Sequence, residues 1–246
     1  MQQSTAGPSR AAGASDMRWW IVTLTLLLAG TAAHGDEGIL GVLARSQLAR
    51  LDRTSAADPS SPRALAVRNS FETLARALGL RHPVELRVIE GETIAETLQG
   101  RVVLANESLA DLSEGERLFI LAHELGHVEL RHWEQTEHLY QKWVPGAVTP
   151  DQTEPVAALL GRDASGLAYR QEFEADAFAL RTLRALGRPP QDAVSTFIHL
   201  GMNQDTATHP GTRKRLASLR AAAAQWSADA QATTRNELID SVSRPD

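Results

Sequence analysis

The feature that most constrains the fold is an apolar stretch between residues 113 and 132 that contains two histidines and a glutamate. Ser113 and Glu116 form a Ser-x-x-Glu pattern, which is typical of a helix start because each side chain can cap the backbone N–H of the other residue. The residues that follow are mostly apolar, which predicts a buried helix over the whole stretch. In such a helix His123 and His127, four residues apart, lie on one face and one turn from each other.

The His-Glu-Leu-Gly-His segment has the composition of a metal site. Imidazoles at this spacing can bind one Zn²⁺ at about 2.0–2.1 Å each, and Glu124 can reach a water on the metal instead of the metal itself. Gly126 is expected to leave space beside the metal. The sequence has no cysteine, so any further ligand must be a histidine or a carboxylate. The segment alone does not decide the matter, because the motif also arises by chance and a catalytic zinc usually has three protein ligands.

A later helix supplies the candidate third ligand. The helical pattern over residues 168–187 ends at a glycine followed by Arg-Pro-Pro, and Glu172 and Asp176 lie on one of its faces. Glu172 can bind the metal, while Asp176 can accept a hydrogen bond from the far ring nitrogen of a ligand histidine. The alternative is an acidic, solvated helix face. However, the two carboxylates are interleaved with apolar side chains, which favours burial of this helix face. Buried carboxylates need partners. The apolar side chains are Phe173, Ala175, Ala177, Phe178 and Leu180.

Three signatures in this order resemble the CAAX prenyl protease and HtpX-type family of gluzincin zinc metallopeptidases. They lie at residues 112–116 leading into 122–128 and 131–132, at residues 169–176, and at residues 206–210 with 213, 215 and 216. The resemblance covers about residues 65–220. It implies an α+β, mostly helical fold, in which a small sheet packs on the His-Glu-x-x-His helix of a gluzincin-type metallopeptidase core. The sequence lacks the long transmembrane hairpins of membrane-embedded members and resembles exported members of the BepA and LoiP type. Unlike BepA, it shows no helical-repeat domain after the catalytic part, so a compact, single-domain member is expected.

The same resemblance assigns roles to individual residues. It implies one Zn²⁺ per chain, with Glu124 as the general base of peptide hydrolysis. It further implies that Asp176 supports a ligand histidine and that His209 stabilises the oxyanion. The implied metal ligands are His123, His127 and Glu172.

The rest of the chain divides into helices, a few short strands and two terminal segments. Pro62 at the start of one helix and Gly79 at its end are typical helix boundaries. Alternating apolar residues predict a half-buried strand at 84–89, and residues 101–105 predict a second one; glycines 91 and 100 bracket the connection between them. Residues 133–168 show no regular pattern. Further helices are expected at 37–53, 191–200 and 214–230. The predicted organisation is an N-terminal signal or anchor at 1–33, a helical segment at 34–62, the metallopeptidase domain at 63–230, and a flexible tail at 231–246.

The N-terminus carries a predicted export signal. Residues 1–16 are small and polar, which leaves open whether translation starts at Met1 or Met17. Arg18 precedes an apolar segment, residues 19–33, which at about 15 residues is shorter than the roughly 20 that a spanning helix needs. A signal cleaved near Ala33 is therefore favoured, and an uncleaved anchor facing the periplasm is the alternative. We expect an exported protein, periplasmic or secreted.

These features predict a zinc-dependent endopeptidase that acts on protein or peptide substrates, with a role in cell-envelope protein quality control. The net charge of −5 and the lack of a long basic run argue against nucleic acid as a partner. One rival is a non-proteolytic chaperone or binding protein whose zinc is latched by His209 in the fourth position. Another is a cytoplasmic metal hydrolase that acts on small molecules, which the export-like N-terminus disfavours.

Two weaker features are also present. His132 and His138 could be additional metal ligands, although histidines near helix ends are more often exposed or capping. Trp133, Tyr140 and Trp143 could form a lid over a cleft, or could simply pack against the end of the helix.

Overall fold

A computed structural model describes residues 38–201 and 203–226 of the protein. The predicted signal or anchor and the predicted C-terminal tail lie outside the described residues. The helices are α1 (Ile39–Leu51), α2 (Pro62–Leu78), α3 (Glu114–Glu129), α4 (His132–Trp143), α5 (Pro150–Thr153), α6 (Ala157–Ala185), α7 (Gln191–Leu200) and α8 (212–226). The strands are β1 (Ser55–Ala56), β2 (Glu85–Glu90), β3 (Ala95–Leu98) and β4 (Val102–Asn106). The predicted α+β, mostly helical class with a small sheet is confirmed.

The sheet has the order β1-β2-β4-β3 and mixes both pairing directions. β2 and β4 are parallel, with Glu85 opposite Val102, while β3 runs antiparallel to β4 and forms one edge of the sheet. Every residue of β4 is buried, because helices cover one face and α1 covers part of the other. For the same reason Ile89 of β2 is buried, packing in a small cluster that includes Leu51 of α1, so this strand is more enclosed than its alternating pattern predicts.

Helix α3 lies at the centre of the main core. It contacts α2, α6 and α7, and its N-terminal half buries Phe119 edge-on against Phe197 of α7, with ring centroids 5.9 Å apart. The capping box predicted at its start is present, since the Ser113 hydroxyl accepts from the Glu116 N–H and the Glu116 carboxylate accepts from the Ser113 N–H at 2.9 Å. β3 contacts the same helix, so the expected packing of the sheet against the His-Glu-x-x-His helix is confirmed.

The region expected to be irregular, residues 133–168, is mainly helical. α3 ends at Glu129, close to the predicted end at about His132, and Arg131, with a left-handed backbone (φ 56°), separates it from the unpredicted helix α4. α6 begins at Ala157, well before the predicted start at residue 168. The sequence reading also missed the edge strand β3, which was assigned to the connection between Gly91 and Gly100.

The aromatic residues of α4 pack against α1. Trp133, Tyr140 and Trp143 surround a buried cluster of Ile39, Leu43 and Val144. Of the two alternatives for this aromatic group, the structure therefore shows the packing role. Within the described residues, no helix combines the length and the apolar character needed to cross a membrane.

Candidate metal centre

Two histidines of α3 point at the same small volume. His123 and His127 are brought together by their i, i+4 spacing, and their Nε2 atoms lie 3.2 Å apart. The side chain of His123 is 10% exposed and that of His127 is 18% exposed. Both imidazoles therefore face a largely dry interior, as the apolar sequence around them predicts.

Glu172 of α6 completes the group of potential metal ligands. Its Oε2 lies 3.6 Å from His123 Nε2 and its Oε1 lies 3.5 Å from His127 Nε2. A tetrahedral zinc with bonds of about 2.0–2.1 Å separates its ligand atoms by about 3.3–3.4 Å. The separation of the two histidine nitrogens is close to this value, and each histidine lies nearest to a different oxygen of Glu172, so the three residues form a group that can hold one metal ion.

Close packing of α3 against α6 makes this approach possible. A Cβ on Gly126 would lie 3.2 Å from the Ala175 Cα and 3.2 Å from a ring carbon of Phe178. The glycine therefore lets the two helices approach, and the expectation that it leaves space beside the metal is wrong. Its contribution to the site is indirect, because the approach of α6 brings Glu172 to the histidines.

The carboxylate of Glu172 is short of hydrogen-bond donors. Its Oε2 is buried and accepts no well-directed hydrogen bond, although Arg215 Nη1 lies 3.0 Å away. An unsatisfied buried carboxylate oxygen is costly, and a metal ion would satisfy it. Burial opposes ionisation, but the guanidinium of Arg215 and the neighbouring imidazoles hold the pKa of Glu172 well below its usual range. The carboxylate is thus in the charged form that binds metal.

A charged pair supports His123 from behind. Asp176 Oδ1 lies 3.0 Å from His123 Nδ1, which is the contact predicted from the sequence. Arg215 of α8 donates to both oxygens of Asp176, from Nε at 2.8 Å and from Nη2 at 2.6 Å. Burial opposes ionisation of Asp176, but Arg215 lowers its pKa, so the aspartate stays an acceptor for the Nδ1–H of His123. That hydrogen bond leaves Nε2 of His123 free to bind a metal.

His127 has a different partner at its far nitrogen. His132, the first residue of α4, places Nδ1 2.9 Å from His127 Nδ1 and Nε2 3.2 Å from Glu174 Oε2. His132 is buried and contacts a ligand candidate, so the prediction of an exposed histidine is wrong, and it is not within the group that could hold the metal. Burial, with the nearby imidazoles of His127 and His123, lowers the pKa of His132 to about 3. His138 is exposed on the same helix.

Glu124 lies beside the ligands and contacts the sheet edge. Thr97 of β3 places its hydroxyl oxygen 2.8 Å from Glu124 Oε2 and 2.9 Å from the Glu124 backbone carbonyl. The hydroxyl has a single proton, so it donates to one of these two oxygens at a time. Glu124 is 8% exposed and is not within the group that could hold the metal.

His209 reaches the site from the loop before α8. Its Nε2 lies 3.6 Å from Glu172 Oε1, and its side chain is 52% exposed. The loop is fixed by Thr206, whose N–H donates to the His209 carbonyl at 2.9 Å and whose hydroxyl accepts from the His209 N–H at 2.9 Å. Tyr169 of α6 anchors the loop through a 2.6 Å hydrogen bond to the Thr206 carbonyl. His209 is therefore held at the open side of the ligand group.

The sequence matches the model of Peptidase family M48 over residues 61–223. The chain belongs to peptidase family M48. Membership of M48 implies a metallopeptidase, and the three ligand candidates lie within the matched residues. No curated protein matches the M48 chain. Among solved structures, it is similar to Ste24p of S. mikatae, at 18% sequence identity and a TM-score of 0.47. That similarity covers 73% of the M48 chain and 56% of Ste24p, so the chain spans little more than half the length of the known structure.

All the sequence-predicted site residues of this M48 domain converge in the structure. Sequence reasoning missed three residues that contact them. Arg215 was part of the third signature without a role, and Thr97 lay in an unrecognised strand. His132 was part of the first signature and was considered as an extra ligand or as an exposed or capping histidine, but not as a partner of His127. Only Arg215 carried a usable signal, because two buried carboxylates require a buried cation.

Proposed function

We propose that the protein is a zinc-dependent endopeptidase that cleaves protein or peptide substrates. The observation that carries the proposal is the arrangement of His123, His127 and Glu172, which bring two imidazole nitrogens and a buried carboxylate together in a group that can hold one zinc ion. Three protein ligands leave one position for the reacting groups, which is typical of catalytic zinc and not of structural zinc.

Each remaining residue has a role that follows from its place. Bound zinc would supply a Lewis acid that polarises the carbonyl and lowers the pKa of a water to about 7. Glu124, a buried carboxylate beside the ligands that is not itself a ligand candidate and is not paired with Arg215, takes the proton of the attacking water and then gives it to the leaving amine. His209 donates a hydrogen bond from Nε2 to the oxygen that becomes negative. Thr97 fixes the carboxylate of Glu124 for both transfers.

The role of Glu124 is tested by replacing it with glutamine. The Glu124→Gln variant should bind zinc as the wild type does and should lose about 10²–10⁴-fold in the rate of degradation of unfolded casein. Glu129→Gln, on the same helix but outside the site, is the matched control and should retain both properties. Wild-type degradation by Glu124→Gln would exclude the proposed mechanism.

A second candidate function is a latched zinc site without proteolysis. His209 Nε2 is 3.6 Å from Glu172 Oε1, which equals the distance between His123 Nε2 and Glu172 Oε2. His209 could therefore also complete the coordination of the metal. The Thr208 hydroxyl, 2.9 Å from His209 Nδ1, supports either role, because it can donate to Nδ1 or accept from it.

Replacement of His209 separates the two candidates. If His209 stabilises the oxyanion, His209→Ala should lower kcat about 10²–10³-fold with zinc content unchanged. If it closes the site, His209→Ala should weaken zinc binding or raise activity. A wild type that binds zinc but cleaves neither casein nor unfolded peptides, with or without His209, would favour the chaperone alternative.

We also propose that the protein works in the cell envelope, among exported M48 members of the HtpX and BepA type. The support is the apolar segment at residues 19–33 with Arg18 before it. Cell fractionation with N-terminal sequencing tests the proposal: an exported chain that starts after about residue 33 indicates a cleaved signal. An intact chain in the membrane indicates an anchor, and an intact chain in the cytoplasm contradicts export.

A further inference from the structure

The candidate ligand His127 has a buried partner that the proposed reaction does not use. His132 Nδ1 lies 2.9 Å from His127 Nδ1, and His132 Nε2 lies 3.2 Å from Glu174 Oε2. The His132 side chain is 3% exposed. Its backbone is also held, because the His132 carbonyl accepts hydrogen bonds from Gln171 Nε2 at 2.9 Å and Thr136 Oγ1 at 3.0 Å. The ring is therefore fixed between an inner imidazole and an outer carboxylate.

The position of each proton along this row follows from the atoms that face each other. Nε2 of His127 faces the other ligand candidates and must be unprotonated to bind a metal, so its proton is on Nδ1. That Nδ1–H donates to His132 Nδ1, which must then be unprotonated. The proton of His132 is consequently on Nε2, where it donates to the carboxylate of Glu174. Every nitrogen in the row has one assigned role, and no two donors face each other.

We propose that His132, with Glu174 behind it, is a positioning residue that holds His127 in the Nδ1–H tautomer with Nε2 directed at the metal. The proposal deepens the proposed function and depends on the same zinc site. It gives the two ligand histidines separate supports: Asp176 acts directly on His123, whereas Glu174 acts on His127 through a second imidazole. Removal of such a supporting partner typically weakens metal affinity 10–100-fold.

Substitutions at His132 separate hydrogen bonding from packing. His132→Phe keeps a ring of similar shape but provides no acceptor for the His127 Nδ1–H. His132→Asn places an amide oxygen near the former Nδ1 and restores the acceptor. His138→Phe is the matched control, because it replaces an exposed histidine of the same helix. The measurements, on the full chain, are zinc affinity by chelator competition and ¹⁵N NMR of the histidine rings.

In the wild type we expect a solvent-protected proton on His127 Nδ1 and a ¹⁵N–¹⁵N coupling across the hydrogen bond to His132. His132→Phe should weaken zinc binding 10–100-fold, His132→Asn should recover most of that loss, and His138→Phe should bind zinc as the wild type does. Wild-type zinc affinity in His132→Phe, or a wild type without a proton on His127 Nδ1, overturns the proposal. If His132→Phe does not fold, the wild-type coupling and the His132→Asn affinity decide the question.

The same experiments distinguish an error in the proposed zinc peptidase function from an error in the inference about His132. A wild type that binds no zinc contradicts the zinc peptidase itself. The proton on His127 Nδ1 and its coupling to His132 are measured without metal or substrate, so they still show whether His132 holds the tautomer. A wild type that binds zinc and cleaves casein, combined with an unaffected His132→Phe, contradicts only the inference about His132.

Discussion

Replacing Arg215 with methionine removes the cation between two buried carboxylates while a long apolar side chain still fills the space. The guanidinium lies 2.6 and 2.8 Å from the Asp176 oxygens and 3.0 Å from Glu172 Oε2. The carboxylate side chains are 2% and 7% exposed. Loss of one partner of a buried ion pair costs about 3–5 kcal/mol. Because Arg215 neutralises two carboxylates, we expect a loss near the upper end of that range in the metal-free protein.

Thermal and urea denaturation followed by circular dichroism measure this loss. For a domain of this size, each kcal/mol shifts the Tm by about 2–4 °C, so a loss of about 4–5 kcal/mol corresponds to about 8–20 °C. A chelator should be present, because bound zinc would add its own stabilisation to the wild type. Arg213→Met is the matched control, since Arg213 is exposed on the same helix, and it should change stability by less than about 0.5 kcal/mol.

The difference between wild type and Arg215→Met should depend on pH with a definite sign. In the folded wild type the pKa values of Glu172 and Asp176 are lowered, with Arg215 as the principal stabilising charge. Their contribution to stability is therefore fully present above their unfolded pKa of about 4 and is lost as the pH falls through the folded values. The variant lacks this contribution, so the free-energy difference should be largest at neutral pH and should shrink below about pH 4. A pH-independent difference, or one no larger than that of Arg213→Met, would refute the reasoning.

Three further predictions concern packing, catalysis and metal. Gly126→Ala should lower the free energy of unfolding, measured by urea denaturation, by about 1–3 kcal/mol because the added methyl group meets α6. Gly161→Ala, which has open space at its Cβ, should raise that free energy by about 0.5–1 kcal/mol. Equal effects of the two substitutions would contradict the packing role of Gly126. Thr97→Val removes the donor to Glu124 and should lower kcat about 3- to 10-fold at unchanged KM, and an unchanged kcat would show that the contact has no catalytic role. Zinc at a thousandfold excess over its Kd should raise the free energy of unfolding by about 4 kcal/mol, and a Tm that does not respond to a chelator would argue against the site.

The parts of the fold that were predictable are those determined by local chemistry. The helix boundaries at Pro62 and Gly79 were readable because the fixed φ of proline and a left-handed glycine act within a few residues, whereas the capping hydroxyl of Ser61 was not predicted. The ligand candidates were readable for the same reason, since the helix period alone places His123 beside His127. Glu172 was proposed as the third ligand from its i, i+4 spacing with Asp176 on a face interleaved with apolar residues, and the family resemblance then implied the same role.

The parts that were missed depend on contacts between distant segments. β3 has four residues, Ala-Glu-Thr-Leu, with only a weak alternating pattern, and it exists because β4 offers a pairing edge. The break after α3 needs a non-glycine residue, Arg131, in the left-handed region, which local propensity argues against. The support of His127 by His132 depends on that break, because it turns α4 back so that its first side chain returns to the site.

The order in which the site's parts occur along the chain has a consequence for synthesis. The histidines of α3 leave the ribosome first and Glu172 follows, but His209 and Arg215 come only with the loop and helix at the end of the matched region. Until α8 has docked, Glu172 and Asp176 lack their compensating cation, which disfavours their burial against α3. We therefore expect the group around Glu172 and Asp176 to form only once α8 is present, so an incomplete chain would carry the His-Glu-x-x-His motif without the residues that complete the site.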